Sequence, residues 1–305
     1  MGKKNVALVL SSGGARGLAH IGAIEALEEF GYTITSIAGT SMGSLVGGIY
    51  ANGNLAGFRD FITGLSKVGV LRLMDLAVSK GGIIKGEKVF SEIKRFIGDG
   101  NIEDLAIPFS AVATDLFNHR EVIFRHGNLL NALRASAAIP TVLLPQQQEQ
   151  SFLVDGAIVN PLPINRVERK PGDILIAINV NAPRKNAIKQ SASPEKKSYN
   201  SIRGFVNNKW NGMLAGHNTD EKQKYGFFDI VSGSFEMVQY KLTESVLMQQ
   251  KVDLLVNMPV NLAEMFEFYR AGELIKAGYD ATKQQLADLD SGTGKHPGIV
   301  EEWFI

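Results

Sequence analysis

The sequence predicts an α/β fold, a three-layer α/β/α arrangement on a mostly parallel central sheet, from three features. The early apolar runs are short and unbroken, as strands covered on both faces must be. Each is followed by a segment whose apolar residues recur at helical spacing. The connections are short, so the units read as βα steps, and successive βα steps set strands parallel.

The elements follow in chain order. Val6-Ala7-Leu8-Val9-Leu10 is the first strand. Over residues 18–30, Leu18, Ile21, Ile24, Ala26, Leu27 and Phe30 lie near helical spacing, and Gly31 stops the helix. Residues 34–38 form the second strand. Ser41 opens a second helix through Leu45, Val46, Ile49 and Tyr50, closed near Asn52-Gly53-Asn54. Strands are expected at 109–114, 121–124 and 174–180, with helices at 86–97 and 128–137. Residues 58–62 and Leu71, Leu73, Met74 and Leu76 read as ordinary core, with an acyl channel or a membrane-facing cap as the alternative. After Asn181 the character changes. Residues 183–229 are polar and carry Lys185, Lys189, Lys196, Lys197, Arg203 and Lys209. This stretch reads as an insertion or flexible excursion within a single domain spanning 1–305. Its lysines read as a solvated face, with contact to anionic headgroups as the alternative. A helix near 235–249, a strand at 252–256 and a helix from about 263 to 286 complete the pattern.

Bulk composition removes several function classes. Residues are 45% hydrophobic and 21% charged, as in globular proteins. Lys+Arg 32 against Asp+Glu 31 gives a formal charge of +1, so no global basic field suggests a nucleic-acid partner. With no cysteine, thiol catalysis, disulfides and thiolate metal sites are excluded. Two lysines precede the first apolar run, but Ser11-Ser12-Gly13-Gly14 cuts it below the roughly 7–15 residues of a signal-peptide core. No stretch approaches the roughly 18 apolar residues of a membrane span. A cytoplasmic protein is expected, with transient peripheral contact at a membrane surface as its extension. The pattern specifies no oligomeric state.

Two glycine motifs carry the chemistry. Gly39-Thr40-Ser41-Met42-Gly43 is a G-x-S-x-G between a strand and a helix, the setting that holds a nucleophilic serine on a tight turn. Gly39 and Gly43 admit the sharp turn, and a helix N-terminus favours negative charge beside Ser41. Ser12-Gly13-Gly14-Ala15-Arg16-Gly17 follows the first strand and offers backbone N–H groups to a developing oxyanion. A nucleotide site begins similarly, but the Rossmann spacing and a P-loop lysine are both absent.

A hydroxyl nucleophile needs a proton acceptor. None of His20, His119, His126, His217 and His296 sits where a triad histidine is expected. Asp155, after Phe152-Leu153-Val154 and before Gly156, is the stronger candidate, with Asp115 as runner-up. An aspartate ordinarily ionises near 3.9, so it would need desolvation or a hydroxyl partner to act on serine. A turn aspartate bonding its own backbone is the competing reading.

Gly13-Gly14-Ala15-Arg16-Gly17, Gly39-Thr40-Ser41-Met42-Gly43 and Asp155-Gly156-Ala157, in that order, resemble the patatin-like phospholipases. Ala113-Thr114-Asp115-Leu116 and Ala135-Ser136-Ala137-Ala138-Ile139-Pro140 resemble that family's intermediate blocks, and the similarity spans about residues 5–180. The resemblance implies a Ser–Asp dyad hydrolase that cleaves lipid acyl esters without metal or cofactor. It implies that Ser41 attacks the carbonyl, Asp155 takes the proton, and the N–H groups of Gly13, Gly14, Ala15 and Arg16 form the oxyanion hole. Arg16 matches the family's basic loop residue, suited to orienting the loop or meeting a phosphate, with a plain surface arginine as the other reading. The family's loop begins with three glycines, and here the first is Ser12. On that departure rests the alternative function, a non-catalytic lipid- or protein-binding module retaining the fold.

Overall fold

A computed structural model describes residues 4–79, 82–148, 151–183 and 227–290. The chain opens with strand β1 (Lys4–Leu10), a 3-10 turn (Gly14–Leu18), α1 (Ala19–Glu29), β2 (Tyr32–Thr40) and α2 (Met42–Ala51). Next come α3 (Leu55–Thr63), α4 (Lys67–Leu73), β3 (Leu76–Ser79), β4 (Gly82–Ile84) and α5 (Glu87–Ile97). The middle of the chain holds β5 (Phe109–Asp115), β6 (Arg120–Phe124), α6 (Leu129–Ser136), β7 (Thr141–Leu143), β8 (Gln146–Gln148) and β9 (Ser151–Asp155). Then follow β10 (Ile174–Ala182), a long helix (Phe227–Gln249), β11 (Leu254–Pro259) and a last helix (Ala271–Asp290).

The main sheet runs β11-β10-β1-β2-β5-β9-β8, with β6 also paired to β5. The five strands from β11 to β5 are mutually parallel, and β6, β8 and β9 are antiparallel additions. The unbroken apolar run of β1 now has its reason. Val6, Leu8 and Leu10 pack into the larger core, which includes residues of α1, α2 and the last helix. Ala7 and Val9 face the opposite layer, where Leu162 and Ile164 cover them together with partly buried Val246 and Leu247 of the long helix. All five are fully buried, and each large side chain so placed stabilises the fold by about 1.5–3 kcal/mol.

One edge of β5 positions the site. Strand β6 pairs with residues 111–115 along one edge of β5. The other edge is shared: β2 occupies it up to the Thr40–Val112 pair, and β9 reaches it from the opposite direction at the Ala113–Asp155 pair. The C-terminal ends of β2 and β9 therefore meet head to head, and residues 41 and 155 arrive at one point.

Several boundaries differ from expectation. The long helix begins at Phe227 rather than near 235. The last helix begins at Ala271 rather than 263, because the carbonyls of Ala263 and Met265 accept from Arg16 and from the Ala15 N–H. Serving the glycine loop, those carbonyls are unavailable to a helical ladder. Residues 58–62 lie in α3, where Phe58 and Ile62 are core, as the simpler reading held. A separate small sheet, β3-β4-β7, forms from runs too short to show a period. Of the polar stretch 183–229, residues 184–226 lie outside the described residues.

Candidate active site

Ser41 caps α2 at φ 56°, ψ −124°, a left-sided backbone conformation that few non-glycine residues adopt. Two glycines make this turn sterically feasible. A Cβ on Gly39 would lie 2.5 Å from the Gly43 carbonyl carbon, and one on Gly43 would lie 2.3 Å from the Leu10 carbonyl oxygen. The start of α2 therefore rests directly on the C-terminal end of β1. A further anchor comes from Ser136 at the end of α6. Its hydroxyl donates to Val112 O at 2.5 Å and accepts the Ser41 backbone N–H at 3.0 Å. Sequence reasoning gave Ser136 no role, because a serine near a helix end is ordinary; only its neighbourhood in the 135–140 block marked it.

The Ser41 hydroxyl donates to Asp155 Oδ2 at 2.6 Å. The other carboxylate oxygen, Oδ1, accepts the Ala157 N–H at 2.8 Å, and the Asp155 N–H donates to Ala138 O at 2.9 Å. Both side chains are buried, Ser41 at 4% exposure and Asp155 at 1%. Burial disfavours the charged carboxylate and raises its pKa to about 7, against the opposing effect of the Ser41 and Ala157 hydrogen bonds. The desolvation and the hydroxyl partner required of an aspartate base are both present. The turn bond to Ala157 is present too, on the other carboxylate oxygen.

The glycine loop lies beside Ser41. A Cβ on Gly17 would fall 2.4 Å from Met42 Cγ. The Ala15 N–H donates to Met265 O at 3.0 Å, and the Arg16 N–H to Gly13 O at 3.2 Å. Gly14 takes φ +53°, where an added Cβ would lie 2.9 Å from Met265 O. Ser12 stays out of the positive-φ region. Its hydroxyl donates to Gln239 Oε1 on the long helix at 2.6 Å, while Asn181 Nδ2 donates to Ser12 O at 2.7 Å. The serine thus replaces a glycine without strain and ties the loop to its surroundings.

Arg16 is not a surface arginine. It is 3% exposed, and its guanidinium donates to Val260 O, Ala263 O, Asn181 Oδ1 and Glu236 Oε1 at 3.1–3.3 Å. It orients the loop, as one of the two sequence readings held.

The remaining candidates lie elsewhere. Asp115 is held by the Ser151 hydroxyl, by Asn118 and by Arg120, which keep its carboxyl well below the usual range. That is a strand-end clamp. His20 is fully buried and donates from Nε2 to Ser11 O at 2.8 Å. Desolvation lowers its pKa to about 4, so it is neutral and committed. His119 and His126 are exposed, and His217 and His296 lie outside the described residues.

Beside this constellation is an apolar pocket of about 60 Å³. Ile139 and Pro140, next to the Ala138 that binds Asp155, form one wall, and Met265, against the glycine loop, another. Val231 and Phe235 of the long helix close it. No helix among the described residues is long and apolar enough to cross a membrane.

Fold and site together define an α/β protein with a serine–carboxylate pair at the C-terminal edge of its sheet. A family model described as patatin-like phospholipase matches residues 8–167. An uncharacterized NTE family protein of Mycobacterium tuberculosis is 34% identical over 327 residues, covering 92% of this chain and 91% of that protein. Lysophospholipase NTE1 of Pyricularia oryzae is 34% identical over 188 residues, covering 59% of this chain and 12% of its own length. The crystal structure of VipD from Legionella pneumophila aligns at TM-score 0.45 and 14% identity, covering 94% of this chain and 67% of its own. The chain belongs to the patatin-like phospholipase family.

Proposed function

We propose that this protein is a lipid acyl hydrolase that works through Ser41 and Asp155. The observation that carries the reading is the 2.6 Å bond from the Ser41 hydroxyl to a buried carboxylate. Ser41 Oγ attacks the ester carbonyl as its proton passes to Asp155, giving a tetrahedral oxyanion. Because Ala15 and Arg16 direct their N–H groups to Met265 O and Gly13 O, the oxyanion is assigned to the N–H groups of Gly13 and Gly14. Ala15 and Arg16 hold the loop in shape. Collapse expels the alcohol, which takes its proton from Asp155. Water then cleaves the acyl-enzyme, with Asp155 again accepting a proton, and Ser41 is restored. The binding-module alternative rested on Ser12, whose conformation and partners give that residue a structural role instead.

A panel of lysophospholipid, diacyl phospholipid and short-chain esters tests the reading. Acyl release that disappears in Ser41→Ala and Asp155→Asn supports it. Equal release by folded Ser41→Ala protein would contradict it.

A further inference from the structure

Strand β10 outruns its neighbour β1 and carries the glycine loop on its end. Leu10, the last residue of β1, lies opposite Ile178, and the Ser11 N–H still donates to Ile178 O at 3.1 Å. Beyond that point a Cβ on Gly13 would fall 2.3 Å from Val180 Cγ2, so the loop rests directly on the strand end. The next residue is Asn181, buried, and its amide has a single possible orientation. Its Oδ1 accepts from Arg16 Nη2 at 3.1 Å, and a guanidinium only donates, so Nδ2 is the atom that faces Ser12 O at 2.7 Å. Asn179 Oδ1 accepts the Asn181 backbone N–H at 3.1 Å and holds the residue in place. Ser12 O receives a second bond, from the Ser11 hydroxyl at 2.9 Å, and that hydroxyl accepts the Val180 N–H at 3.0 Å. Both bonds on this carbonyl trace to the end of β10.

A trans peptide is planar, and its C=O and N–H point in opposite directions. Whatever orients Ser12 O therefore orients the Gly13 N–H, one of the two donors assigned to the oxyanion. The next peptide is held likewise, because Gly13 O accepts from the Arg16 N–H at 3.2 Å and so sets the Gly14 N–H. Neither of these two N–H groups has an acceptor among the described residues. We propose that Asn181 is a positioning residue for ester hydrolysis: its amide clamps the Ser12 carbonyl and thereby aims the Gly13 N–H at the oxyanion. Donors fixed before the reaction need no reorganisation as charge develops, so the clamp acts on the transition state more than on bound substrate. The role rests on the proposed hydrolase reading.

A matched pair of short-chain esters tests it, one with the ordinary carbonyl oxygen and one with sulfur in its place. Sulfur is larger and a weaker acceptor, so donors placed for oxygen contribute little to the thionoester's transition state. Asn181→Ala should lose at least roughly tenfold in kcat on the oxoester with KM little changed, and much less on the thionoester. The ratio of the two activities then falls, and that ratio does not depend on how much of the variant is folded. Asn181→Asp keeps an acceptor for Arg16 but removes the donor to Ser12 O, and should lower the ratio too. An unchanged ratio in both variants, beside a wild type that turns over the oxoester through Ser41, would overturn the role and leave the hydrolase reading standing. A wild type that hydrolyses neither ester, or no faster than Ser41→Ala, would remove the hydrolase reading and the role with it.

Discussion

An aspartate in water ionises near 3.9 and makes a poor base, yet burial lifts Asp155 to about 7. In the proposed mechanism the carboxylate must be ionised to receive the Ser41 proton. Ester turnover should therefore rise with pH through about 7, and a pH–rate profile already flat from about pH 5 would contradict this. The same shift acts on stability with a definite sign. A carboxyl whose folded pKa is raised binds its proton more tightly in the native state, so stability falls as pH climbs from about 4 to 7. Asp155→Asn should be inactive yet melt higher than wild type at about pH 8, with the gap closing near pH 4 in thermal scans. Ser136→Ala releases the Ser41 N–H and should lower kcat roughly tenfold with KM little changed. Ser41 stood out in the sequence by the glycines two residues to either side of it, and Asp155 by the glycine that follows it. Ser136 did not, and the sequence left Arg16 open between the loop, a phosphate and the surface, because its acceptors Asn181, Val260 and Ala263 lie 165 to 247 residues away in sequence.

At the scale of elements, α1 and the last helix pack backbone against backbone. A Cβ on Gly22 would fall 1.8 Å from Ile275 O, and one on Gly278 would fall 1.9 Å from Ala19 O. The two backbones touch, so Gly278→Ala must spread the helices and should cost about 1–3 kcal/mol, read as a lower urea midpoint. Strands with both faces covered announced themselves as apolar runs, and α1 and α2 by their spacing. By contrast, β3, β4, β7 and β8 are three or four residues each, too short for any period to show. The start of the last helix was hidden for another reason. The 263–270 segment has helical composition, but contacts with the glycine loop, remote in sequence, decide its backbone.

For the molecule as a whole, the N-terminal loop is held by the C-terminal third of the chain. Arg16 reaches Val260 and Ala263, Ala15 reaches Met265, and Ser12 reaches Gln239. Lysine cannot reproduce the guanidinium fork, so Arg16→Lys should destabilise the fold by about 2–3 kcal/mol and slow acyl release as well. Ser41 is the residue on which the proposed chemistry depends. Treatment with a fluorophosphonate ester, followed by intact-mass and peptide analysis, reports its nucleophilicity. A single adduct should form on Ser41, be absent from Ser41→Ala and form far more slowly in Asp155→Asn. Folded wild-type protein that takes no label, or labels at another serine, would contradict that chemistry.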